Sequence, residues 1–369
     1  MAKSYQPLNV NTDVTTTRTL LHEVIPLTGT IISGTYGVFP DEENIKNYTH
    51  GQFQSVYDYP YLSSSANHIF DLTLGIQSGS SLSASTNTQM AKKANMYNEY
   101  AQLLLGYDKA QNIEAFESDV NVADDDNQMQ DCFFISLSRL LTKDQIKKGT
   151  FSIELGQGAF DNAHLSTITL TDTGSSETAG FALGRPGGDY AVLYDSTASL
   201  STQIPTSSYG VIFYQAGVVV LSSSVFNTAS GGGVITDFAS GAITQTGAAP
   251  DTGPGRDASY MIATSSISGT CDALRHRIKN ISFNNSTEIN STIYFCRMPV
   301  NQFNYSSNPT YTNASKIVVK NVASDLPVSY VTTIGLYNAS NELLATAKLS
   351  EPLRKDPTNE LTLRVRLDY

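Results

Sequence analysis

VSYVTTIGLYNASNELLATAKLSEPLRKDPTNELTLRVRLDY, residues Val328 to Tyr369, is the stretch whose reading decides the fold. Leu361, Leu363, Val365 and Leu367 fall on one face of an extended strand, with Thr362, Arg364, Arg366 and Asp368 on the other. That period of two marks a half-buried strand. Leu343, Ala345, Ala347 and Leu349 repeat the pattern one segment earlier, and Asn338-Ala339-Ser340-Asn341 is short and polar enough for a hairpin turn. Pro352 and Pro357 are expected to bracket a longer loop into the last strand. A terminal strand so patterned is expected to be tied into a sheet.

Composition extends this reading to the whole chain. Its 369 residues suffice for a sizeable core and suggest two or three domains. Charged residues make up 15% and apolar ones 40%, and Ser, Thr, Asn, Gly and Tyr fill much of the rest. This is the profile of a β-rich protein with short strands and many turns. Trp is absent, and Tyr, whose ring buries area while its hydroxyl stays hydrated, is the commonest aromatic. A net charge of −11 argues against non-specific nucleic-acid or anionic-membrane binding. Cys132, Cys271 and Cys296 are odd in number and show no ligand spacing, so neither a zinc site nor a disulfide framework is expected. The N-terminal residues lack the apolar core of a secretory signal, and no apolar run approaches the length of a membrane span.

Taken in order, residues 1–30 read as an N-terminal arm, with a strand at Thr17–Pro26 and a frayed terminus as the alternative. From Ile31 the tyrosines gather: Tyr36, Tyr48, Tyr57, Tyr59 and Tyr61. The segment Asp58–Asn67 is a loop fixed by Pro60, either packed locally or used as a contact surface. A helix is predicted at about 88–105, with Met90, Ala94, Tyr97, Ala101 and Leu104 on its apolar stripe and Lys92, Lys93 and Glu99 off it. Glu117–Asp131 is an acidic loop; Asp124, Asp125 and Asp126 suit a hard cation, but the spacing lacks the glycine and distal glutamate of an EF-hand, so a solvated loop is expected. Thr142-Lys143-Asp144-Gln145 has capping-box spacing for a short helix ending at Gly149.

After Gly156 the composition turns to Ser, Thr, Gly and Ala, with strands at Leu165–Leu170, Ala191–Tyr194 and Tyr209–Leu221. The expected organisation is a mainly β protein with a minor helical part. An antiparallel, sandwich-like host domain (31–155 and 271–369, the latter with a C-terminal β module) would carry an inserted Ser/Thr/Gly-rich β domain at 156–270. In the host, segments near 131–155 would pair with segments near 279–369. Arg275-His276-Arg277-Ile278-Lys279 is the densest basic cluster and reads as a solvated turn.

Several segments carry a resemblance. Ile334-Gly335-Leu336-Tyr337, Glu342-Leu343-Leu344-Ala345 and the closing Leu361–Val365 resemble a β-module of contractile-phage tail proteins, similar to tail-fibre attachment hairpins. Tyr57–Asn67, Leu140–Phe151, Asn290–Arg297 and Phe303–Tyr311 extend a similarity to virion structural proteins of contractile-tailed cyanobacterial phages over most of the length. The resemblance implies a place in a particle: a non-enzymatic virion structural component in the tail baseplate, made in the host cytoplasm. Its partners would be other baseplate or tail subunits and symmetric copies of itself, with no nucleic acid, membrane or cofactor.

Motifs for chemistry do not oppose this. His22, His50, His68, His164 and His276 sit in unrelated contexts and no GxSxG elbow occurs. Gly156–Ala159, Gly231–Gly233 and Asp251–Gly255 lack the setting of a phosphate cradle. No catalytic, cofactor-binding or metal-ligating residue is therefore singled out. Two alternatives stay open: a fibre-like protein binding host-surface glycans, and a glycan-degrading tail component whose carboxylate pair would form only in the tertiary structure.

Overall fold

The computed structural model describes residues 5–28, 43–84, 88–118, 128–157, 166–172, 181–197, 208–226, 262–263, 265–306, 311–313, 316–317, 322 and 324–369. Among the described residues four α-helices form: α1 (Val10–Asp13), α2 (Thr88–Leu104), α3 (Arg139–Thr142) and α4 (Ile267–Arg277). The strands are β1 (Val14–Thr28), β2 (Ile45–Asn47), β3 (Gln54–Tyr57), β4 (His68–Ile76), β5 (Asp131–Leu137), β6 (Gln145–Ile146) and β7 (Ser152–Gln157). They continue with β8 (Ser166–Thr171), β9 (Phe181–Arg185), β10 (Gly188–Asp195), β11 (Ser208–Phe213), β12 (Val218–Ser222) and β13 (Ile278–Met298). Last come β14 (Thr312–Asn313), β15 (Lys316–Ile317), β16 (Ser329–Tyr337), β17 (Leu343–Lys355) and β18 (Leu361–Asp368). The chain is mainly β with a minor helical part. It divides into a larger unit, Leu21–Thr287, and a smaller one made of Met1–Leu20 with Glu288–Tyr369.

Among the described residues fourteen strands join in one sheet, along the path β1-β13-β7-β8-β10-β11-β12-β5-β4-β3-β2. In addition β18 and β6 pair with β13, and β9 pairs with β10. The central strands of the larger unit are buried on both faces. Phe133, Ile135, Val219 and Leu221 enter one apolar cluster, while Cys132, Phe134, Val218 and Val220 enter another. Two covered faces explain why CFFISL and VVVLS read as continuous apolar runs instead of alternating ones.

The helices cover these faces. Tyr97, Ala101 and Leu104 of α2 pack into the second cluster. Gly75 of β4 makes this approach possible: a Cβ there would lie 2.7 Å from the backbone nitrogen of Tyr97. Helix α4 puts Ile267, Cys271 and Leu274 into the first cluster. It touches both β4 and β7, which stand six places apart along the sheet. A flat sheet would separate those strands by about 29 Å, whereas eleven helical residues span only about 16 Å. The sheet therefore curves around α4. Buried polar groups pin this helix: Arg275 donates to Gln54 at 3.2 Å and to Asp272 at 3.1 Å, and Arg277 donates to the Gly156 carbonyl at 3.2 Å.

Several expectations change. The strands of the expected insert do not form a separate domain: β8 and β10–β12 lie between β7 and β5 in the same sheet, and the unit boundaries fall at 20/21 and 287/288. Hydrogen-bond pairing overrides the compositional shift on which the insert was drawn. The expected pairing of 131–155 with the C-terminal part does occur, since β7 and β6 both pair with β13. Much of the expected arm is β1, which has β13 as its neighbour. The basic cluster is no solvated turn, because Arg275 and Arg277 are fully buried with hydrogen-bond partners from β3, α4 and β7. The short helix α3 ends at Thr142, where the capping-box segment begins, and is capped by Ser138, while Lys143 takes a positive φ. Pro352 lies inside β17, so the loop before β18 is shorter than expected.

Lys93 departs most from its expected place. It lies inside the stripe, fully buried, and its ammonium donates to the carbonyls of Ile262 (2.5 Å), Ala263 (3.3 Å) and Ser265 (2.6 Å). Three acceptors match the three N–H groups of a protonated lysine, while burial pulls its pKa down to about 8.

In the smaller unit β18 pairs with residues 291–298 of β13, and its residues alternate between buried or half-buried and exposed as the sequence pattern predicts. Tyr369 and Asn290 exchange backbone hydrogen bonds at the end of this ladder. Strands β16 and β17 form a separate two-stranded ribbon, turned at Asn338–Asn341 with Asn341 at φ 61°. Its base is fastened by buried Lys355, which donates to Asn304 Oδ1 at 2.6 Å, and by Ser329, which donates to the Phe303 carbonyl. Asp13 is held by the backbone of Asn9 and by Arg297; Asp356 by Thr358 and Arg354; Asp368 by Ser291 and Arg366. Hydrogen bonds lower all three pKa values below 3.8.

Two outcomes follow for stability. Lys93→Ala should lower the unfolding free energy by roughly 3 kcal/mol, because buried carbonyls lose their donor; an unchanged urea midpoint would contradict this placement. The three lowered carboxylates contribute stability that is fully present above their ordinary pKa and lost as pH falls through the folded values. The smaller unit should thus loosen below about pH 4, measurable as hydrogen-exchange protection lost first in β18 and β13 residues 291–298.

Candidate contact surface

The end of the sheet formed by β2, β3 and β4 carries a group of ring contacts near its surface. The turn after β2 closes when Gly51, at φ 62°, donates to the Tyr48 carbonyl. This turn stacks Tyr48 on His50 (5.1 Å between ring centres, 15° between planes) and sets Phe53 within 4.7 and 4.9 Å of them. Lys46 places its ammonium 4.6 Å from the centre of the Tyr48 ring and 6.0 Å from that of Tyr61, within cation–π range.

The tyrosine-rich loop adjoins it. Asp58 closes the loop by accepting from the Asn67 backbone (2.6 Å) and side chain (2.9 Å), and Tyr61 donates its backbone N–H to the Glu43 carbonyl. Tyr57 lies 6.1 Å from Tyr61 and 5.6 Å from His68. Tyr59, Tyr61 and Leu62 remain exposed, Leu62 at 86%. Of the two readings open for this loop, local packing holds for its backbone, which is tied down by these hydrogen bonds, while its apolar side chains face outward.

Below the rings, one oxygen of Asp71 accepts from Ser55 and from His68 Nε2, the latter at 2.8 Å. His68 and Asp71 stand three apart, which would put them on opposite faces of a regular strand. The register shifts where Val56 pairs with Phe70 and Tyr57 with His68, leaving Ile69 as an extra residue. That bulge turns His68 onto the face of Asp71. Burial, followed by Tyr48 and Asp71, raises the pKa of the Tyr57 phenol. Ser55 donates to the carboxylate itself, which is not the nucleophile–base–acid chain of acyl transfer. The arrangement is a braced aromatic surface.

Other groups raised by the sequence lie elsewhere. Cys132 and Cys271 are buried and burial raises both thiol pKa values; Cys296 is half-buried and shifted the same way. Asp172, also raised by burial, accepts from Gly149 N (2.7 Å), Phe151 N (2.9 Å) and Tyr214 OH (2.6 Å), and so fastens the turn before β7. His22 meets Ser286 Oγ at 2.9 Å. Asp124–Asp126, His164, Gly231–Gly233 and Asp251–Gly255, like the His276 side chain, lie outside the described residues. Among the described residues no group of three or more His, Cys, Asp or Glu is placed to hold a metal ion, and no helix is long and apolar enough to cross a membrane.

Comparisons with known protein families, with curated proteins and with solved structures find no match to this chain. The surface itself is open to test. Asp71→Ala should cost about 1–3 kcal/mol, because Ser55 and His68 lose their acceptor. Leu62→Ser should stay within about 0.5 kcal/mol of the parent. Equal unfolding midpoints for the two variants would contradict the bracing role of Asp71.

Proposed function

We propose that this chain is a non-enzymatic structural component of a phage virion, placed in the tail baseplate and acting through protein–protein assembly contacts. The observation that carries the reading is the C-terminal segment. The residues that resemble tail-fibre attachment modules, Ile334–Tyr337 and Glu342–Ala345, are the two arms of one hairpin, and Leu361–Val365 lies in the terminal strand β18. Two further features suit assembly. The tyrosine-rich loop presents Tyr59, Tyr61 and Leu62 to solvent on a braced support, and aromatic side chains are enriched where proteins meet. The net charge of −11 suits protein partners more than nucleic acid.

In this role the partners are baseplate or tail subunits and symmetric copies of the chain, with the aromatic loop as one contact. Leu62→Asp, at a fully described and exposed position, should leave the isolated protein folded but reduce its incorporation into particles several-fold, because a charge buried at an interface is costly. Quantifying the protein in purified virions against its level in the lysate measures this, and antibody labelling of intact virions gives its place. Label confined to the head or neck would overturn the baseplate placement. Depolymerisation of envelope polysaccharide by the purified chain would favour the glycan-degrading alternative.

A further inference from the structure

The ribbon formed by β16 and β17 is a two-stranded sheet, and among the described residues the outer edge of each strand has no hydrogen-bonded neighbour. A two-stranded ribbon is marginal by itself in water, and free edges are places where another strand can add. The two edges are not equivalent. On β17 the register jumps between Leu353 and Lys348, so that Leu349–Pro352 bulge opposite the single residue Thr332. This strand carries Lys348, Glu351, Pro352 and Arg354, a proline, charges and a bulge of the kind that block strand addition. On β16, by contrast, Ser329-Tyr330-Val331-Thr332-Thr333-Ile334-Gly335-Leu336-Tyr337 contains neither charge nor proline.

We propose that β16 is the strand through which two copies of this chain join, edge to edge and antiparallel about a two-fold axis, into a four-stranded sheet. Charge decides for a second copy. Chains of net charge −11 repel each other over most surfaces, and β16 brings none of that charge to the seam, whereas β17 against itself would face lysines and arginine with their like. The length of the strand selects the register. Directly opposite residues of an antiparallel pair share a face, so the axis passes through a residue, and all nine residues pair when Thr333, the middle one, meets its own copy there. Tyr330 then falls opposite Leu336 and Thr332 opposite Ile334 on one face, within reach of cross-strand packing. This pairing goes beyond the proposed place in a particle and holds or fails independently of it.

The full-length chain tests it in sedimentation velocity across a concentration series to roughly 100 µM, the range in which weak strand pairing is read. The parent should show a reversible monomer–dimer equilibrium. Thr333→Lys, an exposed position that sets two lysines beside each other at the axis, should weaken the dimer at least about tenfold, while Thr333→Ser leaves it unchanged. In a Cys296→Ser background, Thr333→Cys should form a disulfide-linked dimer on mild oxidation, and Thr362→Cys on β18 should not. A strictly monomeric parent, a Thr333→Lys dimer as tight as the parent's, or cross-linking at Thr362→Cys without cross-linking at Thr333→Cys would each overturn the proposal. Particle incorporation that survives Thr333→Lys would leave the baseplate reading intact while the dissociation constant alone decides the edge.

Discussion

The backbone of β13 is the constraint on which the rest depends. Across 21 residues it supplies partners to β7, β6 and β18 and lies next to β1. Its first ten residues belong to the larger unit and the remainder to the smaller. A strand with neighbours on both sides satisfies its own amide groups and those of four other strands at once, and unpaired buried amides are what a β fold can least tolerate. In the larger unit β13 holds β7 in register, β7 brings Gly156 under Arg277, and α4 is thereby fixed inside the curve of the sheet. Each of these contacts presupposes the ladder before it.

What the sequence disclosed follows from which forces are local. Helix α2, the hairpin at Asn338–Asn341 and the alternation of β18 are set by spacing within a few residues, and all lie close to their predicted places. Long-range compensation was illegible. Lys93, Arg275 and Arg277 look like solvated cations because nothing nearby in sequence announces the carbonyls and side chains that receive them. The polar middle of β13, Asn284-Asn285-Ser286-Thr287-Glu288, gives no strand signal, since its side chains bond to Leu141, His22 and Arg18 far away in the chain. The boundary of the insert was misplaced for the same reason: composition changes at Gly156, but the hydrogen bonding does not.

The aromatic surface was half visible. Tyrosine enrichment around Tyr57–Tyr61 marked the loop, yet Lys46, Ser55 and the His68–Asp71 pair were missed: cross-strand register sets Lys46 opposite Ser55 and Ser55 opposite Asp71, and a bulge at Ile69, which has no residue signature here, turns His68 toward Asp71. The site therefore reads as a support for an exposed aromatic face, in which the polar groups hold the rings in place. Such an arrangement loses little when a single exposed side chain is changed and much when Asp71 is removed.

The sequence distance closed by β13 also has a consequence in time. Glu23 and Asn285 are in contact across 262 residues, so the larger unit cannot close until β13 has been made. At 5–20 residues per second, synthesis of that span takes about 13–50 s. From its own synthesis to the end of this interval β7 lacks the partner that covers one of its edges, and the apolar faces of β5 and β12, once made, lack α4. The nascent chain is thus committed to a long vulnerable period in which crowding by sister chains competes with its own completion.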